Sequence, residues 1–271
     1  MTPPATPPHD PPASAGVLGY DKQGHVVTIT MNRPHALNAI NGELREALNA
    51  AWLAFRDDPD AWVAILTGAG RAFCAGADLR DGAGAVGTWP GTFWEIPTIN
   101  SFESGLELYK PVIAAVNGHC IGYGFTGALA CDFIIASEEA TFGFPEVRLG
   151  TPTIVGAIRL PRRIGWSDAM ELLLTGERVS AERAREMGLV WRVVEHESLA
   201  DAAAELADRL VRSAPLAVRA TKEVAMRTAS LPWTEAVRFG ETMRKVAGAT
   251  EDAAEGRVAF AEGRTPEWKG R

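Results

Sequence analysis

Val112-Ile113-Ala114-Ala115-Val116-Asn117-Gly118-His119-Cys120-Ile121-Gly122-Tyr123-Gly124 is the stretch from which the rest of the chain can be read. Its first five residues form an unbroken apolar run, the pattern of a strand buried on both faces. Glycines then interrupt it, and Phe125 to Cys131 reads as a short helix. Small residues directly before a helix leave its first N–H groups free, and the helix dipole adds positive potential at the same spot. A second set of free N–H groups is expected at Gly76 and Ala77, in the glycine-rich run Thr67 to Gly76. Two such donors are what an oxyanion hole requires. Taken singly, each glycine-rich segment is also what an ordinary turn looks like.

Outward from this stretch the pattern repeats. Val63 to Leu66 and Phe133 to Ala136 read as further buried strands, and Val26 to Met31, bounded by Gly24 and Pro34, as another. Between them, Leu44, Ala47, Leu48, Ala51, Trp52 and Phe55 mark one face of a helix with Asn41 as its N-cap. Short apolar strands alternating with helices predict an α/β fold with largely buried sheets. Residues 81–100 hold four glycines, two prolines and two tryptophans, and read as a long loop. Its Trp89, Phe93 and Trp94 suit either closure over a pocket or anchors on the core.

After about residue 178 the texture becomes helical and alanine-rich. Ser180 is expected to cap a helix running to Met187 and stopped by Gly188, with a last strand within Leu189 to Val194. Ser198 with Asp201 resembles a capping box, and Leu199, Ala203, Leu206 and Leu210 trace one apolar stripe up to Pro215. Helical stretches follow Pro215 and Pro232. The expected division is a tail at 1–15, an α/β core carrying the active site at 16–195, and a helical assembly region at 196–271. The tail contains six prolines, which favour an extended, solvated chain. A proline-motif ligand is the sharper reading of the same residues, but basic anchors are lacking.

The 271 residues are 46% hydrophobic and 23% charged, which excludes collagen, coiled coil and wholesale disorder. A net charge of −7 argues against a broadly basic nucleic-acid surface. No apolar run reaches the roughly 20 residues of a spanning helix, and the N-terminus lacks the basic and apolar regions of a signal peptide. Cys74, Cys120 and Cys131 form no even disulfide framework, so a reduced, cytoplasmic setting is expected. Cys74 and Cys120 read as small packing residues. Five scattered histidines show no metal-ligand spacing, and His119 has no readable carboxylate partner.

The combination of ordered motifs resembles the crotonase, or enoyl-CoA hydratase/isomerase, superfamily, almost continuously from about residue 18 to 269. The resemblance runs through Asn32-Arg33-Pro34-His35-Ala36-Leu37-Asn38-Ala39, Ala72 to Leu79, Ala115 to Gly124, Thr141 to Gly150, Leu174 to Gly176, Gly188 to Val190, and Phe260-Ala261-Glu262-Gly263-Arg264. It implies a superhelix of ββα turns with a helical C-terminal region that builds trimers, often paired into hexamers. It implies an acyl-CoA thioester as substrate, with no separate cofactor and no metal. By this resemblance the N–H groups of Ala77 and Tyr123 hold the thioester oxygen, and the adenine lies near Ala75, Gly76 and Ala77. Arg33, Arg71 and Arg264 are candidate phosphate contacts, with solvated surface arginines as the alternative; Gly122, Thr126 and Phe260 complete the candidate binding set. Glu146 matches the family's glutamate in a Phe-Gly-x-Pro-Glu motif, and a partly buried carboxylate there suits a proton shuttle.

Three departures fall in the active-site region. Thr126 stands where a typical hydratase has its second glutamate, and a hydroxyl is no base near neutral pH. Tyr123 replaces the usual oxyanion glycine, so its side chain either lines the pocket or points into the core. The stretch Gly150 to Gly156 lacks the glycine pair that hydratases place beside the water. One glutamate beside an oxyanion hole suffices to move a proton from C2 to C4 of a 3-enoyl thioester, so isomerase-type chemistry is the leading expectation. The alternatives are a hydratase or dehydratase with another second acid, drawn from Glu95, Glu103 or Glu107, and a non-catalytic acyl-CoA binding or assembly subunit. Asp132 reads as structural.

Overall fold

The computed structural model describes residues 16–80 and 101–271. The expectations for the 1–15 tail and the 81–100 loop, with its Trp89, Phe93, Trp94 and Glu95, lie outside the described residues.

Two sheets share the core. The larger runs β1-β2-β3-β5-β7-β10, from Leu18–Gln23, Val26–Met31, Val63–Gly68, Val112–Val116, Phe133–Ser137 and Arg192–Val194. Only β1 and β2 pair antiparallel; the other neighbours are parallel. The smaller sheet runs β4-β6-β8-β9, from Ala72–Cys74, His119–Ile121, Thr141–Gly143 and Arg178–Ser180. Successive turns of the chain place one strand in each sheet: β3 then β4, β5 then β6, β7 then β8. This is the ββα winding expected of the chain.

The unbroken apolar strands serve two cores at once. In β5, Val112, Ala114 and Val116 enter the main core, while Ile113 and Ala115 face the second cluster. In β3, Ala64 and Leu66 face one way and Val63 and Ile65 the other. Period-two side-chain alternation with both faces covered favours apolar residues at successive positions. The second cluster is closed by α6 (Leu199–Val211) through Leu199, Ala202, Ala203 and Leu206. Burying each such leucine contributes about 1.5–3 kcal/mol relative to exposure.

Helix α1 (Gly42–Asp57) begins at Asn41, whose side chain accepts from Leu44 N–H at 2.9 Å, and buries Leu44, Ala51, Trp52 and Phe55. Helix α2 (Tyr123–Ala130) follows β6, and α3 (Val155–Arg159) and α4 (Trp166–Thr175) lie between β8 and β9. Helix α5 (Ala181–Glu186) is capped by Ser180, which accepts from Arg183 N–H. The Ser198 capping box is not formed: a 3-10 turn at His196–Ser198 runs straight into α6, and the serine makes no capping bond.

Beyond α6, α7 (Pro215–Arg227), α8 (Trp233–Gly248) and α9 (Glu251–Glu262) form an arm that buries little of its own surface. Trp233 is 83% and Phe260 90% exposed. Lys222 of α7 fastens the arm to the core, donating to Asp132 at 2.7 Å and to the Lys110 carbonyl at 2.8 Å. Asp132 also accepts from Val112 N–H, the structural part expected of it. Among the described residues no helix is long and apolar enough to cross a membrane.

Candidate active site

The chain leaves β6 through Gly122 and enters α2 at Tyr123. Gly122 has φ +55° and ψ −121°, a conformation that strains any residue with a Cβ. Its N–H donates to the Gly143 carbonyl at 2.9 Å, tying the entry of α2 to β8. Gly124 is there for space: a Cβ on it would lie 2.4 Å from the Cβ of Cys74, so α2 rests directly on the end of β4. Tyr123 is the first residue of the helix, and its N–H has no intrahelical acceptor.

From the other side, β4 leads into Ala75, Gly76 and Ala77. Ile40 N–H donates to the Gly76 carbonyl and Asp78 N–H to the Ile40 carbonyl, at 2.8 and 2.9 Å. This bridge uses the groups on either side of Ala77 and turns the Ala77 N–H away from the ladder. A Cβ on Gly76 would come within 3.7 Å of Tyr123 N, so the turn and the helix start are neighbours. The Ala75–Ala77 turn therefore lies beside the backbone N–H that opens α2.

Glu146 faces that place. It lies on the 3-10 helix Pro145–Leu149, begun by Pro145 and ended by Gly150 in the left-handed region. Phe144, just before it, is fully buried and stacks on Phe125 of α2 at 4.6 Å, which fixes the approach of the turn. Glu146 Oε1 lies 2.8 Å from where a Gly122 Cβ would be. Its other oxygen, Oε2, is buried with no hydrogen-bond partner among the described residues. Burial raises the Glu146 carboxyl above the ordinary glutamate value, partly opposed by a bond from its own backbone N–H. A half-buried carboxyl with a raised pKa and an oxygen without a partner among the described residues has the chemistry of a candidate acid or base.

The side chains that replace family residues point elsewhere. Tyr123 goes into the core side: its hydroxyl donates to Glu103 at 2.7 Å, and the Arg45 guanidinium lies 5.6 Å from its ring centre. Burial and the neighbouring Glu103 raise its phenol. Thr126 is buried on α2, and its hydroxyl donates back to the Gly122 carbonyl at 3.3 Å. Glu107 is exposed and paired with Arg227 at 2.9 Å.

Next to the Ala75–Ala77 turn opens a cleft of about 680 Å³, lined in part by Arg33, Arg71, Ala75, Ala77 and Arg80. Arg71 is exposed in it. Arg33 also lines the cleft, but its guanidinium is held by Asp78 at 3.0 Å and by the Ala39 carbonyl. Asn38, fully buried, clamps the same wall by donating to the Ala69 and Ala72 carbonyls and accepting from Arg33 N–H. Arg80 and His35, exposed at the cleft, were not among the candidate site residues, although His35 lies within the Asn32–Ala39 motif and Arg80 directly follows Ala72–Leu79. Within one chain the structure does not bring Arg264 and Phe260 to this cleft. Arg264 is locked to Glu255 and Glu262 at 2.6 and 2.7 Å, and Phe260 projects from α9.

Other candidate groups are structural. The His119 ring meets Thr141 Oγ1 at 2.9 Å. Burial pushes the Cys74 and Cys131 thiols up to about 12 and Cys120 well above its usual value, so none is a nucleophile near neutral pH. Among the described residues no His, Cys, Asp and Glu cluster could hold a metal.

Known proteins share this fold. A family model described as enoyl-CoA hydratase/isomerase matches residues 21–271. Carnitinyl-CoA dehydratase of Salmonella paratyphi A is 43% identical over 260 residues, covering 94% of this chain and 98% of that protein. Among solved structures, an enoyl-CoA hydratase from Mycobacterium tuberculosis H37Rv superposes with a TM-score of 0.86 at 36% identity, covering 94% of this chain and 99% of its own. An enoyl-CoA hydratase/isomerase from Mycobacterium paratuberculosis gives 0.84 at 40% identity, covering 95% and 100%. The chain is a member of the enoyl-CoA hydratase/isomerase family.

Proposed function

We propose that this chain acts on acyl-CoA thioesters by stabilising a thioester enolate, and that Glu146 shuttles the proton in a double-bond isomerisation. The observation that carries the reading is the Glu146 carboxylate, one buried oxygen unused, against Gly122 at the mouth of α2. The thioester oxygen takes the N–H groups of Ala77 and Tyr123. Glu146 removes a proton from C2 of a 3-enoyl thioester, negative charge develops on that oxygen, and the two fixed donors hold it. One such donor contributes about 3–4 kcal/mol in favourable cases. Return of the proton at C4 leaves the double bond conjugated with the carbonyl. Thr126, spent on the Gly122 carbonyl, offers no second carboxylate.

The CoA moiety is part of the substrate and lies in the cleft, with Arg71 and Arg80 as phosphate contacts and Arg33 as a strut of its wall. The exposed apolar side chains of the arm, Trp233, Val237, Val246 and Phe260, fit burial against further copies in a trimer or hexamer. There Phe260 and Arg264 meet a neighbouring copy rather than their own cleft. The free, buried cysteines fit a cytoplasmic setting.

Hydration or dehydration is the second reading, favoured by the 43% identity with carnitinyl-CoA dehydratase. Side-by-side assays separate the two: conversion of 3-enoyl-CoA to the conjugated isomer, and addition of water to crotonyl-CoA. Isomerisation exceeding hydration supports the first reading, and Thr126→Glu should then raise hydration. Robust hydration by the wild type supports the second. Binding of acyl-CoA without either reaction, and without exchange of C2 protons in heavy water, marks a non-catalytic binder.

A further inference from the structure

A glycine at the N-cap leaves α2 with no side-chain cap at the end that matters most for an oxyanion donor. The Gly122 N–H bond to Gly143 and the Thr126 N–H bond to the Gly122 carbonyl secure the chain at the helix entry, but the Tyr123 N–H, at the first helical position, has no intrahelical acceptor to fix its aim. The Tyr123 side chain supplies an anchor instead. Its hydroxyl donates to the Glu103 carboxylate at 2.7 Å, and the main chain that carries this carboxylate is anchored. Arg159 of α3 donates to the Glu103 carbonyl at 2.7 Å. Phe102, the preceding residue, is buried and stacks on Trp52 of α1 at 4.3 Å. Beside the pair remains a cavity of about 30 Å³, room for one water. The phenol therefore binds a carboxylate carried on an anchored stretch of main chain.

We infer that the Tyr123 side chain, through its hydrogen bond to Glu103, is a positioning residue that holds the first turn of α2 so that the Tyr123 N–H stays aimed at the thioester oxygen alongside Ala77. This rests on the oxyanion reading given above. The device needs a side chain at position 123, and the glycine usual in the family could not provide it. Because burial and Glu103 raise the phenol, it stays protonated and remains a donor throughout the neutral range. The expected sensitivity is large for so remote a contact, since misplacing a reacting group by about 1 Å can cost on the order of 100-fold in rate.

The test uses full-length Tyr123→Phe, Glu103→Ala, Glu103→Gln and the Tyr123→Phe/Glu103→Ala double variant, with Glu205→Gln, at an exposed residue paired with Arg192, as control. Turnover of 3-enoyl-CoA and crotonyl-CoA is measured, together with the carbonyl stretch of bound, isotope-labelled butyryl-CoA and thermal unfolding. A downshifted carbonyl stretch is expected in the wild type. Tyr123→Phe and Glu103→Ala should each lower kcat about tenfold with KM within about twofold, and move the stretch back toward that of free thioester. Glu103→Gln, whose amide oxygen still accepts the phenol, should stay within about twofold of wild type, and the double variant should be no worse than either single one. A lowered Tm with kcat and carbonyl stretch unchanged would show a purely structural contact and overturn the inference. If Tyr123→Phe does not fold, Glu103→Ala decides by the same readouts. A wild type without any carbonyl downshift defeats the oxyanion reading itself, and the positioning role falls with it.

Discussion

Glu146 Oε1 sits 2.8 Å from the point where Gly122 would carry a Cβ, so the carboxylate and the glycine define each other's place. Gly122→Ala meets two obstacles at once, the carboxylate and a φ of +55°. The strained backbone alone costs about 1–3 kcal/mol. Turnover should fall by at least about 100-fold as the Tyr123 N–H and Glu146 are pushed apart. Steady-state kinetics and thermal unfolding of the variant measure both.

Glu146 also sets a pH dependence. Burial raises its folded-state value above that of the unfolded chain. Its contribution to stability is therefore fully present below the ordinary glutamate value and is lost as pH rises through the folded value. Glu146→Gln removes the charge that must otherwise be buried. It should unfold at a temperature about 2–4 °C above wild type at pH 8, with the gap shrinking toward pH 4. The wild-type kcat/KM should rise with pH around a midpoint above the ordinary glutamate value, since the base must be ionised. A Tm gap that stays constant with pH would contradict the assignment of the buried charge to this residue.

Much of this was legible in the sequence for a specific reason. Strands such as Val112–Val116 are apolar throughout because alternate residues enter two different cores, and that leaves a continuous signal. The second sheet was not legible: its strands are three residues long, too short for any period to show. The edge strand Leu18–Gln23 was hidden by its exposed polar half, Asp21 to Gln23. The glycine turn at Gly76 and the helix start after Gly122 could be read because both follow from runs of small residues. The destination of the Tyr123 side chain could not, because Glu103 is 20 residues away with no local spacing to reveal it. The same holds for Arg33, whose partner Asp78 lies 45 residues on.

The two arginines of the cleft should separate by readout. Arg71 is exposed there and makes a phosphate contact in the proposed complex, so Arg71→Ala should raise KM about tenfold with kcat and Tm nearly unchanged. The effect should fade as salt is raised. Arg33 ties Asp78 to the Ala39 carbonyl, so Arg33→Ala should lower Tm as well as raise KM. Equal behaviour of the two variants would contradict the distinction.

Lys110 gives an alkaline counterpart to Glu146. It is buried, donates to the Phe55 and Asp58 carbonyls at the end of α1, and burial lowers it to about 8. Between that value and the 10.5 of an ordinary lysine, the unfolded chain binds a proton that the folded chain does not. Stability from this group therefore rises with pH across that window. Lys110→Met should cost about 1–3 kcal/mol through the stranded carbonyls. Urea unfolding from pH 7 to 9.5 should show the deficit growing with pH; a shrinking deficit would contradict the depressed lysine.

In the proposed reaction a single carboxylate, Glu146, moves the proton. The most direct measurement follows ultraviolet absorbance of the conjugated enoyl thioester formed from 3-enoyl-CoA by wild type and by Glu146→Gln, with acyl-CoA binding confirmed for both. The expected result is steady formation by wild type and loss of about 1,000-fold or more in the variant. Full activity in Glu146→Gln would contradict it.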